Sequence, residues 1–313
     1  MDDLKPIGFI GLGIMGGPMA GHLAAAGYPV TVLDLNLAAS EQLRDRFQNV
    51  RLASTPAEVA AASDIVVTML PSGREVREVA LGPKGLVEGF RPGSLLLDTS
   101  SAEPWITREV SERLAERGVA MVDAPVSGAE AGAKAAELVF MVGGQLADVA
   151  RVSPLLQVMG KKMFHLGPVG SGHVMKSINN TITAVTLVST AEGLIAGKRL
   201  GLDPAVMNAV LTESTGMSWI THTHISQRIL SRKFDDPFKL DLMVKDMNIA
   251  TTLAAEAGLD APVWASAQAV WRAAQAGMPE RSSVSGVVRH MELKSGVEIT
   301  AGAESREGPV GAG

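Results

Sequence analysis

Ile7-Gly-Phe-Ile-Gly11-Leu-Gly13-Ile-Met-Gly16 is the stretch on which the fold turns. A short apolar run, Ile7–Gly11, reads as a buried strand, and the residues from Met15 to Ala26 read as a helix. Between them the glycines take distinct tasks. Gly11 permits the turn, Gly13 lets backbone approach a pyrophosphate, and Gly16 lets helix and strand pack closely. Leu12, Ile14 and Met15 complete a loop whose N–H groups face an anion at the helix start. Glycine-rich turns are common, so the spacing alone is weak. It gains force from the next predicted strand, Val30–Asp34, which ends in a carboxylate where one that binds an adenosine ribose is expected. A 2′-phosphate would meet like charge at Asp34, and Leu35 and Asn36 follow without an arginine. NAD is therefore the expected cofactor, with NADP as the alternative.

The same alternation continues outward. Ile65–Leu70, Leu95–Asp98 and Ala120–Asp123 read as strands, with Val139–Val142 and Met163–His165 as later ones. Helices are expected at Thr55–Ala62, Gly73–Leu81, Pro104–Arg117 and Ala147–Met159. Thr55-Pro-Ala-Glu58 is a capping box with proline at the first helical position. Strands separated by helices of this length imply right-handed crossovers and a parallel, doubly wound α/β sheet of Rossmann type. Ligands gather at the carboxyl ends of such strands. Those ends carry Leu70-Pro71-Ser72, Asp98-Thr-Ser-Ser101 and Asp123-Ala-Pro-Val-Ser127-Gly128-Ala129. Their small residues and hydroxyls suit close approach to ribose, nicotinamide and a small polar substrate, although each could be an ordinary turn.

Near Gly167-Pro-Val-Gly170 the strands stop. Helical periodicity runs through about Val174–Leu200, Pro204–Thr212, Trp219–Leu230, Leu240–Ala257, Pro262–Gly277 and Ser285–Leu293. The expected organisation is a dinucleotide-binding domain over 1–167, an all-helical domain for substrate and oligomerisation over 168–300, and a disordered tail over 301–313, rich in glycine and charge.

Composition narrows the function classes. With 313 residues, 46% of them apolar, the chain can form two ordinary globular domains. A net charge of −5 gives no basic footprint for nucleic acid or an anionic membrane. No cysteine is present, which excludes disulfides, thiolate metal sites and a cysteine nucleophile. The start, Met1-Asp-Asp-Leu-Lys-Pro6, lacks the basic and apolar regions of a signal peptide. The apolar segment 177–196 carries Asn179, Asn180 and Glu192, so a buried core helix fits it better than a membrane span. A cytoplasmic protein is expected.

Chemistry concentrates in Gly170-Ser-Gly-His-Val-Met-Lys176-Ser-Ile-Asn179-Asn180. On a helix Lys176, Asn179 and Asn180 share one face. A lysine there can simply snorkel to solvent; beside a dinucleotide and a substrate it can move a proton instead.

Four separated motifs together resemble the β-hydroxyacid dehydrogenase family, which includes 3-hydroxyisobutyrate dehydrogenases and tartronate semialdehyde reductases and is related to 6-phosphogluconate dehydrogenase. They are Gly11-Leu-Gly13-Ile-Met-Gly16, Asp123-Ala-Pro-Val-Ser127-Gly128, the Gly170–Asn180 segment and Lys245-Asp246. The resemblance spans roughly 7–293. It implies NAD(P)-dependent interconversion of a small 3-hydroxy acid and its semialdehyde or keto form, by a homodimer or homotetramer. It further implies that Ser127 and Gly128 hold the substrate carboxylate, that Lys176 is the catalytic lysine and that Asn180 orients substrate. Lys245 would be a cleft lysine near nicotinamide and substrate, and Ser101 keeps the hydroxyl of a common threonine. Ala129 replaces the second glycine of the usual Ser-Gly-Gly, and His173 is closer to the 6-phosphogluconate branch. A free lysine titrates near 10.4, too high for a base at neutral pH, and burial beside a positive nicotinamide would lower it.

Other candidates are set aside. His222 and His224, two apart on a helix, face apart and have no Asp or Glu at ligand spacing, so no metal site is expected. Trp264 and Trp271 read as packing anchors, whereas Met217-Ser218-Trp219 could line a substrate pocket. A sugar phosphate would call for clustered arginines, and Arg228, Arg232 and Arg289 look scattered. The rival readings are an imine or sugar-acid reductase of the same superfamily, against which Lys176 argues, and a non-catalytic nucleotide-binding scaffold.

Overall fold

The computed structural model describes residues 4–302. The chain divides into two compact units, Met1–Lys176 and Ser177–Gly313, each described by itself. The division falls inside one helix, where sequence had suggested a boundary at 167/168.

In the first unit β1 (Ile7–Ile10), β2 (Val30–Leu33), β3 (Val50–Leu52), β4 (Ile65–Thr68), β5 (Leu95–Asp98) and β6 (Ala120–Asp123) pair in parallel, in the order β3-β2-β1-β4-β5-β6. The helices α1 (Gly16–Ala25), α2 (Leu37–Arg46), α3 (Pro56–Ala61), α4 (Gly73–Leu81), α5 (Leu86–Gly89) and α6 (Pro104–Ala115) connect them. The sheet then departs from the purely parallel expectation. After β7 (Val126–Ser127) and α7 (Ala129–Lys134), β8 (Leu138–Gly143) returns antiparallel to β6 and β7. Following α8 (Leu146–Met159), β9 (Gly160–Gly167) lies parallel to β8, so both late strands join the same sheet.

Alternation along each strand builds two cores. Ile7, Phe9, Ile65, Val67, Leu95 and Leu97 face one layer with Met19 and Leu23 of α1 and Val152 of α8. Ile10, Val66 and Leu96 face the other with Val59 of α3, Ala80 of α4 and Val110 of α6. That period of two, with helices on both faces, is what a doubly wound sheet requires. The N-cap half of the α3 capping box forms, Thr55 Oγ1 accepting from Glu58 N–H at 3.2 Å, whereas Glu58 Oε2 reaches one residue further back and accepts from Ser54 N–H at 2.7 Å.

α9 (Ser171–Arg199) leads into the second unit, which adds α10 (Pro204–Glu213), a π-helix (Ile220–Leu230), α11 (Leu240–Glu256), α12 (Pro262–Gly277) and α13 (Gly286–Ser295). No strand occurs here among the described residues, apart from one isolated bridge between Lys239 and Ser283. Trp271 is fully buried and donates its indole N–H to Ala184 O at 3.2 Å, so it is a packing anchor. Residues 298–302 lie as a strap: Ile299 is fully buried, Lys198 Nζ reaches Thr300, and Gly302 N–H reaches Asp203. The remainder of the expected 301–313 tail lies outside the described residues.

Candidate active site

The glycine loop has the geometry its spacing implied. Gly11 sits at φ 95°, and a Cβ there would stand 2.3 Å from Met69 O. A Cβ on Gly16 would fall 1.8 Å from Gly11 O, so helix and turn pack at backbone distance. Gly13 has nothing within 4 Å of such a Cβ. α1 carries no side-chain cap and no acidic residue in its first turn. Open space at Gly13 and uncapped N–H groups form a cradle that fits a pyrophosphate.

Asp34 follows β2, and both its oxygens are engaged by backbone: Oδ2 accepts from Leu12 N–H at 2.5 Å and Oδ1 from Asn36 N–H at 2.6 Å. The carboxylate is thereby tied to the glycine loop. Leu70 N–H donates to Ser100 Oγ at 2.9 Å, which joins the ends of β4 and β5. Pro71 is exposed and Ser101 half-buried beside these ends. Ile14 is exposed, whereas Leu12 is buried and Met15 packs against the core.

Ser127 is half-buried, with Gly128 at φ 134° and Ala129 at φ 51° exposed after it. Two successive left-handed residues make the turn into α7. A glycine at 129 would fit that backbone freely; alanine holds it under strain.

Behind this turn lies a buried polar cluster that sequence reasoning missed. Asp123 Oδ1 accepts from Gly170 N–H at 2.6 Å, and Oδ2 from His173 N–H at 2.9 Å. His173 donates Nε2–H to Ser100 O at 3.1 Å, and its Nδ1 shares a hydrogen bond with Thr107 Oγ1 at 2.8 Å. Asp98 and Asp123 each place a carboxylate oxygen 3.7 Å from the imidazole. Burial pushes the Asp123 carboxyl above the usual carboxylate range; His173 and the two N–H donors oppose the shift, and Asp98 adds to it.

Lys176 follows on α9 and is half-buried; Asn180, one turn later, is buried. In the second unit Asn180 Nδ2–H donates to Asp246 Oδ2 at 2.6 Å, and Asn179 donates to Asn180 Oδ1 at 3.2 Å. Asp246, 1% exposed, also pairs through Oδ1 with Lys245 Nζ at 3.3 Å. The Lys245-Asp246 pair therefore works jointly: one carboxylate orients both the amide and the ammonium.

His224 and the arginines set aside earlier have structural partners. His224 is buried and His222 exposed, on the π-helix. Ser285 Oγ lies 3.1 Å from His224 Nε2 and donates its proton to Asp236 Oδ2, while His224 Nδ1 is 3.5 Å from Asp236 Oδ1. That serine proton goes to carboxylate rather than to imidazole, and Ser285 is fully buried, so the trio is not an activated nucleophile. Arg232 and Arg289 are less scattered than the sequence suggested, since both bond the buried Glu292. Arg228 instead pairs with Asp235 and Asp236. No group of three or more His, Asp or Glu able to hold a metal occurs among the described residues.

Known proteins share this sequence and fold. The NAD binding domain of 6-phosphogluconate dehydrogenase matches residues 6–167. The NAD-binding domain of NADP-dependent 3-hydroxyisobutyrate dehydrogenase matches residues 170–291. The chain belongs to the β-hydroxyacid dehydrogenase family. It is 35% identical to 2-(hydroxymethyl)glutarate dehydrogenase of Eubacterium barkeri, over 96% of this chain and all of the relative. It is also 35% identical to NAD-dependent L-serine dehydrogenase of Pseudomonas aeruginosa, over 86% of this chain and 92% of that one. The structure of Mycobacterium tuberculosis 3-hydroxyisobutyrate dehydrogenase with L-serine superposes with a TM-score of 0.84 at 32% identity, covering 92% of this chain and 99% of that one. This member of the family is an NAD(P)-dependent hydroxyacid oxidoreductase. No described helix is long and apolar enough to cross a membrane.

Proposed function

We propose that this dehydrogenase interconverts a small 3-hydroxy acid and its semialdehyde or keto form, with NAD preferred and Lys176 as general acid and base. The observation that carries the reading is on α9: the buried Asn180 amide, one turn beyond Lys176 in the helix, donates to Asp246. Bound nicotinamide supplies the hydride acceptor in oxidation and the donor in reduction. The neutral Lys176 amine takes the hydroxyl proton, and its ammonium form returns a proton to the carbonyl oxygen. Asn180 orients the reacting oxygen, with Lys245 beside it. Ser127, Gly128 and the N–H of Ala129 hold the substrate carboxylate. Asp34 addresses the adenosine ribose, and its charge disfavours a 2′-phosphate. Gly11 to Gly16 take the pyrophosphate, with Leu70, Pro71 and Ser101 flanking the nicotinamide end.

A panel of 3-hydroxy acids and their semialdehydes, L-serine included, assayed with NAD and NADP by nicotinamide absorbance, tests this. Turnover is expected with NAD ahead of NADP, and Lys176→Ala should lose at least ~10²-fold in kcat while still binding NADH. Near-normal turnover in that variant refutes the lysine's role, faster turnover with NADP refutes the preference, and silence across the panel restores the scaffold reading.

The same reading includes a cytoplasmic homodimer or homotetramer. Supporting it, the second unit exposes Leu200, Val206, Val210, Met217, Trp219 and Val263 by more than half each, apolar side chains that a subunit interface would cover. Light scattering should give a multiple of 32.7 kDa; a monomer at micromolar concentration would oppose it.

A further inference from the structure

Asp123 closes β6 and opens the turn that carries Ser127 and Gly128, yet its own carboxylate is committed elsewhere. Both oxygens bind N–H groups at the start of α9, from residues 47 and 50 positions downstream. Thr55 serves α3 and Asp203 serves α10 from the adjoining residue. α9 draws its cap from a strand end. A local cap satisfies N–H groups, but a distant one also fixes where the helix starts and how it is turned.

The surroundings are shaped for this carboxylate. A Cβ on Gly143, the cross-strand partner of Asp123, would stand 2.5 Å from Oδ1, and a Cβ on Gly172 would stand 2.8 Å from Oδ2. Asp123 is fully buried, where a carboxylate is tolerated only with its lone pairs used. Rotation is fixed a second time by His173, whose two ring nitrogens engage Ser100 O and Thr107 Oγ1. Asp98 stands behind the ring, its Oδ1 accepting from Thr68 and from Ser100 N–H. Lys176 lies three residues past His173, on the same side of the helix.

We propose that Asp123 is the positioning residue for Lys176: its carboxylate clamps the start of α9, with His173, Asp98 and Thr107 holding the helix's rotation, so that the acid/base and the Ser127-Gly128 turn share one anchor. The inference rests on the reading of Lys176 given above. An acid/base group displaced by about an ångström loses on the order of 10²-fold, so a clamp of this kind acts on kcat and not on dinucleotide binding.

The test is Asp123→Asn in the full chain. The amide keeps the size of the carboxylate but turns a donor toward one of the two N–H groups. With the best substrate of the panel, kcat is expected to fall about 10- to 100-fold, with the kcat–pH profile displaced and NADH affinity within about twofold of wild type. In a Lys176→Ala background the same substitution should change the residual rate less than about twofold, because the group it positions is gone. Thr107→Val, which removes the hydroxyl bonded to His173 Nδ1, should move the profile the same way with a kcat loss of about fivefold, and it decides the matter if the asparagine variant does not fold. Wild-type kcat and pH profile in either folded variant overturn the proposal. So does a loss accounted for by the unfolded fraction with the profile unmoved. If Lys176→Ala itself stays active, the lysine reading fails; if it is dead while Asp123→Asn behaves as wild type, only the clamp fails.

Discussion

Asp246→Ala tests the second unit's contribution most directly. The wild-type carboxylate is 1% exposed, accepts from Asn180 at 2.6 Å and pairs with Lys245 at 3.3 Å, whose side chain is 20% exposed. Truncation leaves a buried amide donor and a mostly buried ammonium without this acceptor. Breaking a buried pair from one side costs about 3–5 kcal/mol. The lower figure applies because a fifth of the Lys245 side chain still meets water. For domains of this size about 3 kcal/mol corresponds to roughly 6–12 °C in Tm. Asp246→Asn keeps an acceptor for Asn180 and loses only the charge, for about 1–2 kcal/mol. Guanidinium and thermal unfolding followed by tryptophan fluorescence suit the measurement, since Trp219, Trp264 and Trp271 all lie in this unit. Release of the Asn180 amide should also lower kcat/KM by about tenfold or more, the equivalent of one positioned hydrogen bond. An Asp246→Ala protein within about 3 °C of wild type, or one no worse than Asp246→Asn, would refute the reasoning.

Two further outcomes are expected. Ala129→Gly, which relieves an L residue at φ 51°, should stabilise the first unit by about 0.5–1 kcal/mol after the glycine's extra unfolded-state entropy is subtracted; a lowered unfolding midpoint would contradict the strain. Burial holds the imidazole of His224 below its ordinary 6.5, with Asp236 opposing and Arg228 adding to the shift, and burial with Lys294 does the same for His290. Below that ordinary value the unfolded chain binds protons that the folded one refuses, so stability is full above about pH 6.5 and falls on acidification. His224→Gln should flatten the guanidinium midpoint between about pH 7.5 and about pH 5.5, and an unchanged slope would remove His224 from the account.

The elements most legible in the sequence were those whose burial is one-sided or complete. β1, β4 and β5 are buried at every residue and read as unbroken apolar runs. The glycine loop was readable down to the task of each glycine, because those tasks are steric. β3 was missed: its three residues, Val50-Arg51-Leu52, form the sheet edge with Arg51 exposed, too short to show alternation. α2 was missed because Leu37–Arg46 buries only Ser40 and Leu43, so its apolar stripe is faint. The π-helix was anticipated as a helix at Trp219–Leu230, but periodicity over eleven residues does not separate its winding from the common one. At the site, Lys176 and Asn180 stood out through their helical spacing. Asp123 looked like a turn residue, since its partners lie 47 and 50 positions away and nothing local betrays them. Asp246 was seen only as part of a motif; its hold on Asn180 spans 66 positions.

The strap that ends in Gly302 also sets an order of events during synthesis. Ile299 is fully buried in the second unit's core, and its N–H bonds Glu292 Oε1 at 2.7 Å. That core therefore stays incomplete until residue 299 has left the ribosome. Every buried residue of the first unit's two core clusters, by contrast, is made by Met159, with only the partly buried Met163 and Val169 to follow. At typical translation speeds the interval is on the order of ten seconds, long for helices whose apolar faces wait uncovered. A nascent chain stalled in that window would present them to chaperones, and the second unit would depend on such protection far more than the first.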